Sequence, residues 1–166
     1  MASNVLYPMA KQRMISGSNS TESSGEGQPF DLASAQVVHC SLVSSSYVYS
    51  QYHQYYGASL IAAGGNGINA GANNAALPWA HQVGATGTLA SKTFVSGVFD
   101  AADITFSAVA ATSSITHVIV FLSGAYGGKD DYLIAHFDTG SGGGINMTSN
   151  NGDITVKWNA SGIFSI

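Results

Sequence analysis

The chain has 166 residues, of which only 8% are charged, and its formal net charge is −4 at pH 7 with neutral His. Soluble domains average about 25% charged residues, so this surface is unusually neutral and relies on uncharged hydrogen-bonding groups. Such a surface suits permanent packing against another protein. The acidic balance argues against nucleic acid as the main partner, because phosphate binding requires clustered Lys and Arg.

The sequence also bears on location and redox chemistry. It has no apolar run near the roughly 20 residues that a membrane-spanning helix needs, and it begins without the apolar core of a signal peptide. We therefore expect no membrane association, and synthesis in the cytoplasm without export. Cys40 is the only cysteine, which excludes an internal disulfide. Its alternation with Val38 and Leu42 predicts a buried, small apolar side chain.

Residues 1–30 are predicted to form an arm and a flexible linker outside the β domain of residues 31–166. Helical spacing of the first apolar residues predicts a short helix, and the polar stretch SGSNSTESSGEGQ predicts a linker. The helix would be marginal alone, which leaves a loosely packed terminus or an arm that orders on a neighbouring subunit. Its candidate interface residues are Leu6, Met9 and Met14.

Residues 45–90 are predicted to form a long loop rich in Gly, Ala and Asn. The loop opens with SYVYSQYHQYY, for which strand and helix remain equally open. Long loops without a core of their own are usually functional or disordered, so we expect this one to pack on a partner chain. Tyr combines an apolar body with a polar tip, which suits interfaces. The candidate interface residues here are Tyr47, Tyr49, Tyr52, Tyr55 and Tyr56.

Strand patterns dominate the rest of the chain. Alternating or continuous apolar runs predict strands at 31–44, 92–100, 104–108, 115–122, 132–138 and 153–159, with the chain ending on an apolar run at 163–166. Gly and Asn between the later runs tolerate the positive φ of tight turns, which predicts an antiparallel meander. The expected fold is mainly β, an antiparallel sandwich or barrel-like domain. The candidate core residues are Val38, Leu42, Phe94, Ile104, Phe106, Ile119, Phe121, Phe137, Ile154, Val156 and Trp158.

No catalytic, metal or cofactor residues are predicted, and we do not expect an enzyme. Asp138 and Asp153 stand at strand ends or turns, where Asp commonly caps local backbone rather than forming a glycosidase pair. The five histidines lack the short spacing of metal ligands, and His117 and His136 are expected to be hydrogen-bonded structural residues. The Gly runs lack the Lys-Ser/Thr of a phosphate loop.

Three blocks of sequence carry a resemblance to a known family. LYPMAKQRMISG at residues 6–17, TFVSGVFDAADITF at 93–106, and LIAHFDTGSG with NNGDITVKW and GIFSI in the last third occur in the family's order. Together they resemble a family of small structural proteins of tailed-bacteriophage virions, associated with capsid decoration or cement. The stretch between about 44 and 90 departs from the family pattern.

The resemblance implies a decoration or cement protein located in the virion, whose partner is the major capsid protein and whose role is to clamp and stabilise the shell. Cement proteins often occupy three-fold positions, so a homotrimer is expected. The alternative is a glycan-binding head fibre or adhesin module, for which Tyr-rich loops are also suited.

Overall fold

A computed structural model describes residues 4–16, 32, 37–51, 53, 56, 78–123 and 131–166, with the backbone alone for residues 9, 13, 16, 79 and 80. The protein is mainly antiparallel β, with several sheets in a sandwich-like arrangement, as the sequence predicts. In chain order the elements are β1 (Val5–Leu6), α1 (Pro8–Ser16), β2 (Val37–Ser44), a 3₁₀ turn (Pro78–His81), β3 (Gln82–Thr88), β4 (Thr93–Val95), β5 (Val98–Asp100), β6 (Ile104–Phe106), β7 (Ser114–Ser123), β8 (Tyr132–Phe137), β9 (Thr139–Gly140), β10 (Gly143–Gly144), β11 (Met147–Thr148), β12 (Ile154–Val156) and β13 (Phe164–Ser165).

The large sheet is built around β7, the longest strand of the described chain. Its strands follow the order β1-β8-β7-β2-β3, and β11 pairs with the beginning of β7. All of these pairs are antiparallel. The run SITHVIVFLS is rich in β-branched residues, which pack well on a pleated surface. Because both faces of β7 are covered, its apolar run is nearly continuous rather than alternating.

A second layer covers one face of the large sheet. It consists of the three-stranded sheet β13-β5-β4 and the two-stranded sheet β12-β6, and a separate pair, β9 and β10, forms a small hairpin. Alternate side chains of β2 and β7, together with Tyr132, Ile134 and Ala135 of β8, pack against this layer and form the main core. The fully buried members of this core include Val38, Cys40, Leu42, Leu89, Phe99, Ile115, Val120, Leu122, Tyr132 and Ile134.

The opposite face of the large sheet is covered by α1 and by residues near Tyr47 and Tyr56. A second apolar cluster lies there, with Tyr7 and Ala10 completely buried. Its members are Tyr7, Ala10, Val43, Tyr47, Tyr56, Ile119, Phe121 and Leu133. In the described part of the chain, no helix is long and apolar enough to cross a membrane.

The predicted N-terminal helix is confirmed as α1, but the prediction that residues 4–16 lie outside the β domain is wrong. Val5 and Leu6 pair with His136 and Ala135, and Tyr7 N–H donates to Ile134 O over 3.0 Å. This segment therefore belongs to the fold and is not a separate arm. The helix, marginal on its own, packs against strands of this same chain. Of the predicted linker at residues 16–28, Ser16 ends α1, and residues 17–28 lie outside the described residues.

The strand predictions are right in position and partly wrong in pairing. The third strand of the predicted meander, now β12, pairs with β6 and not with β8. The predicted strand at 92–100 is a hairpin, because Ser96 and Gly97 both have positive φ, at 53° and 80°. The predicted loop at 45–90 contains β3, which pairs with β2. Residues 57–77 of that loop lie outside the described part.

Of the candidate core residues, seven are buried and four lie at the margin of the core. The buried ones are Val38, Leu42, Ile104, Phe106, Ile119, Phe121 and Ile154. The others, half-buried and packed against the main core, are Phe94, Phe137, Val156 and Trp158. The Trp158 ring lies 5.8 Å from that of Phe137, and its backbone N–H donates to Asp103 Oδ1 over 2.9 Å.

Candidate functional site

Polar aromatic side chains concentrate on the α1-covered face of the large sheet. The second apolar cluster there contains or borders a hydrogen-bonded group that we call the Tyr–His cluster. β7 and β8 supply its two central histidines. A register shift between these strands places His136 on the same face as Leu133, although the two residues are three positions apart. The residue before α1 and the segment after β2 supply the rest. Its members are Tyr7, Tyr47, Tyr49, His53, His117 and His136.

Two hydrogen-bonded chains cross this cluster. Tyr7 Oη lies 2.9 Å from Tyr47 Oη, which in turn lies 3.1 Å from His53 Nδ1. His136 Nε2 lies 3.0 Å from His117 Nδ1, so one ring must donate and the other accept. The Tyr47 ring meets the His117 ring edge-on at 5.4 Å and links the two chains. This arrangement confirms that His117 and His136 are hydrogen-bonded.

Burial shifts the acid–base properties of the cluster. Desolvation, together with a smaller effect of the neighbouring His117, lowers the pKa of His136 to about 4. Desolvation also lowers the pKa of His117 and of His53, although Asp138 opposes this effect at His117. Burial raises the pKa of Tyr7 and Tyr47. The cluster is therefore uncharged at neutral pH.

A second polar contact lies nearby, around Tyr56. Its hydroxyl group donates to Gln82 Oε1 over 2.7 Å and lies 2.6 Å from Ser41 Oγ. The Tyr56 ring stacks on Phe121 with centroids 3.9 Å apart, and its backbone N–H donates to Asp131 O. These contacts fix Tyr56 in the core and satisfy the buried hydroxyl group of Ser41.

Ser41 and Cys40 both lie in packed surroundings of the large sheet. Activation of a serine requires an adjacent base, and Ser41 Oγ instead meets the Tyr56 hydroxyl group and Leu42 O. Burial raises the pKa of the Cys40 thiol, which disfavours the reactive thiolate. Within the described ranges, no group of three or more His, Cys, Asp or Glu side chains could hold a metal ion. Asp153 Oδ1 accepts from Ala108 N over 2.9 Å, the backbone-capping role expected for it.

The structure separates the candidate interface residues into two groups. The side chains of Leu6, Tyr47 and Tyr56 are buried within the chain, and not exposed as the interface prediction requires. Tyr49 and Met14 are half-buried beside them. The side chain of Met9, and all of Tyr52 and Tyr55, lie outside the described part.

Two exposed apolar side chains close to these residues in sequence are not among the predicted interface residues. Val48 and Ile15 are 71% and 75% exposed. The sequence could have indicated their exposure. Val48 lies between Tyr47 and Tyr49 in an alternating run, and Ile15 lies off the apolar stripe of the helix. A pattern that turns Tyr47 inward must turn Val48 outward.

A half-open groove lies between the large sheet and the second layer. Its volume is about 320 Å³, and strands β1 and β13 both line it. Leu6, Phe137 and Phe164 form apolar walls, and Lys11 of α1 supplies a cation.

The comparisons with known proteins give no further guide. No protein-family model matches the chain, and neither the curated proteins nor the solved structures contain a significant match.

Proposed function

We propose that this protein is a structural component of a tailed-bacteriophage head, a decoration or cement protein that binds the shell of the major capsid protein and stabilises it. The protein has no catalytic role in this proposal. Its work is mechanical, which accords with a sequence that is only 8% charged and with a mainly antiparallel β fold.

One observation carries the proposal: the three blocks that resemble the virion family pair with one another in the fold. Leu6 of the first block pairs with Ala135 of the last. Phe99 of the middle block pairs with Phe164, in a second strand pair between blocks. Phe106 pairs with Ile154 in the same way. The three blocks therefore form one structural unit in this fold. This supports the inference that the chain shares the architecture of the family that the blocks resemble.

The glycan-binding alternative receives less support. It relied on Tyr side chains displayed on a loop, whereas Tyr47 and Tyr56 are only 2% and 4% exposed. Rings that are buried in this way cannot stack on a sugar without local unfolding. The exposed apolar residues Val48 and Ile15 are better suited to protein contact.

The test is attachment to shells. Purified protein is mixed with phage shells that lack it, and co-sedimentation is measured at low and high salt. We expect saturable attachment that changes little with salt, because few charges are available to be screened. A glycan array serves as the parallel arm. Binding to glycans without attachment to any shell would overturn the proposal in favour of an adhesin.

A further inference from the structure

The groove between the layers is bordered by two strand edges. In the described part of the chain, β1 is an edge strand of the large sheet, and β13 is an edge strand of the three-stranded sheet. Both strands line the groove. An edge strand presents backbone N–H and C=O groups that a further strand can pair with.

The pairing of β1 shows which of its groups point outward. Tyr7 N–H donates to Ile134 O, so Tyr7 and Val5 lie at hydrogen-bonded positions opposite β8. In an antiparallel pair these positions alternate with positions whose backbone groups point away from the partner. Leu6 lies between them, so its N–H and C=O are directed away from β8 towards the open edge. Leu6 also lines the groove.

The lining of the groove indicates what it would bind. Phe137, Ile163 and Phe164 offer apolar contacts to alternate side chains of an extended chain. Lys11 is exposed and is the only charged residue among the groove's lining residues. Asn4 Oδ1 already accepts from Thr139 Oγ1 over 3.0 Å. A carboxylate on the incoming chain would therefore complement the groove.

We propose that this groove binds a short extended peptide segment of another protein, apolar at alternate positions and bearing one carboxylate, which pairs with the outer edge of β1 and directs its carboxylate to Lys11. The volume of about 320 Å³ is near the lower limit of ligand sites, so the segment is only a few residues long. That the segment belongs to a shell protein rests on the proposed function, whereas the chemistry of the groove does not.

The experiment uses the full chain and a defined probe, acetyl-Val-Glu-Val-Thr-Val-amide, titrated to millimolar concentration and followed by backbone amide NMR. We expect shifts confined to the amides of Val5, Leu6, Phe164 and Ser165 and to those near Lys11. Lys11→Glu should weaken the affinity roughly threefold to tenfold, the range of an exposed ion pair that is reversed. Lys157→Glu, an equal charge change at an exposed residue outside the groove lining, should leave it unchanged.

A peptide that is N-methylated along one edge separates strand pairing from apolar contact. It should not bind, because it lacks the donors that face β1. Equal binding of both peptides would overturn the strand-pairing inference, as would shifts elsewhere or none at millimolar peptide. Concentration-dependent shifts of the same amides without peptide would assign the groove to a second copy of this chain. Failure of the peptide while the protein still attaches to shells would reject the groove and leave the proposed function standing.

Discussion

At the scale of single residues, Gly162 has a backbone conformation that other residues rarely adopt. Its φ is +99°, and a Cβ added there would meet Val98 Cγ1 and, at 3.0 Å, Phe99 O. Gly162→Ala should therefore cost about 1–3 kcal/mol of unfolding free energy, measured by thermal or urea denaturation. Gly142→Ala is the matched control, because its Cβ would meet nothing within 4 Å and φ is not positive. Equal stability of the two variants would contradict the strain argument.

The buried histidine pair makes a prediction about acid stability. The pKa of His136 is about 4 in the folded protein against an ordinary value of 6.5, so the unfolded chain binds more protons between these values. Stability should therefore decrease as pH falls from about 6.5 towards about 4, by on the order of 2 kcal/mol. His117 and His53 shift in the same direction and add to the loss.

The measurement is the free energy of unfolding between pH 7 and pH 5, above the range in which most carboxylates titrate. His136→Phe keeps an aromatic ring beside Tyr49, 4.7 Å away in the native protein, and removes the titrating group, so the slope with pH should become shallower. Tyr49→Phe retains all the histidines and should keep the native slope. The idea fails if His136→Phe has the same slope as the native protein.

At the scale of elements, the first 16 residues should behave as part of the core. Deleting residues 1–16 removes β1 and α1 and exposes the second apolar cluster, so the melting temperature should fall by many degrees. Tyr7→Ala isolates the main anchor and should cost about 3–5 kcal/mol, because Tyr7 is completely buried. Ile15→Ser, at a residue that is 75% exposed, is the control and should be nearly neutral. An unchanged melting temperature on deletion would restore the detached-arm interpretation.

At the scale of the whole molecule, we expect self-association as a trimer. Val48 lies in the Tyr-rich segment predicted to pack on a partner and is 71% exposed, so Val48→Asp should shift the assembly towards monomer in light scattering. Val95→Asp changes a similarly exposed Val, 67%, in the second layer and should leave the assembly intact. A native protein that is monomeric at high micromolar concentration, both free and on the shell, would reject the trimer.

The sequence by itself determined the type and position of most elements. The β-branched run of β7, the alternation in β8 and in β12, and the turn residues between them predict strands wherever they occur, because side-chain period and backbone preference are local properties. Local patterns also predicted that Cys40 is buried and that Asp153 caps nearby backbone, and both predictions are confirmed.

Only the tertiary structure decided which partners these elements take. The alternating pattern of β12 indicates which of its faces is apolar but not which strand lies beside it. Its pairing with β6 rather than β8 therefore could not be derived from the sequence. A Tyr ring suits both an interface and an interior, and Tyr47 became a core residue because Tyr7 and His53 satisfy its hydroxyl group there. The Tyr–His cluster itself joins residues up to 129 positions apart in sequence, counting from Tyr7 to His136. Such proximity arises only when α1, β7 and β8 have packed together.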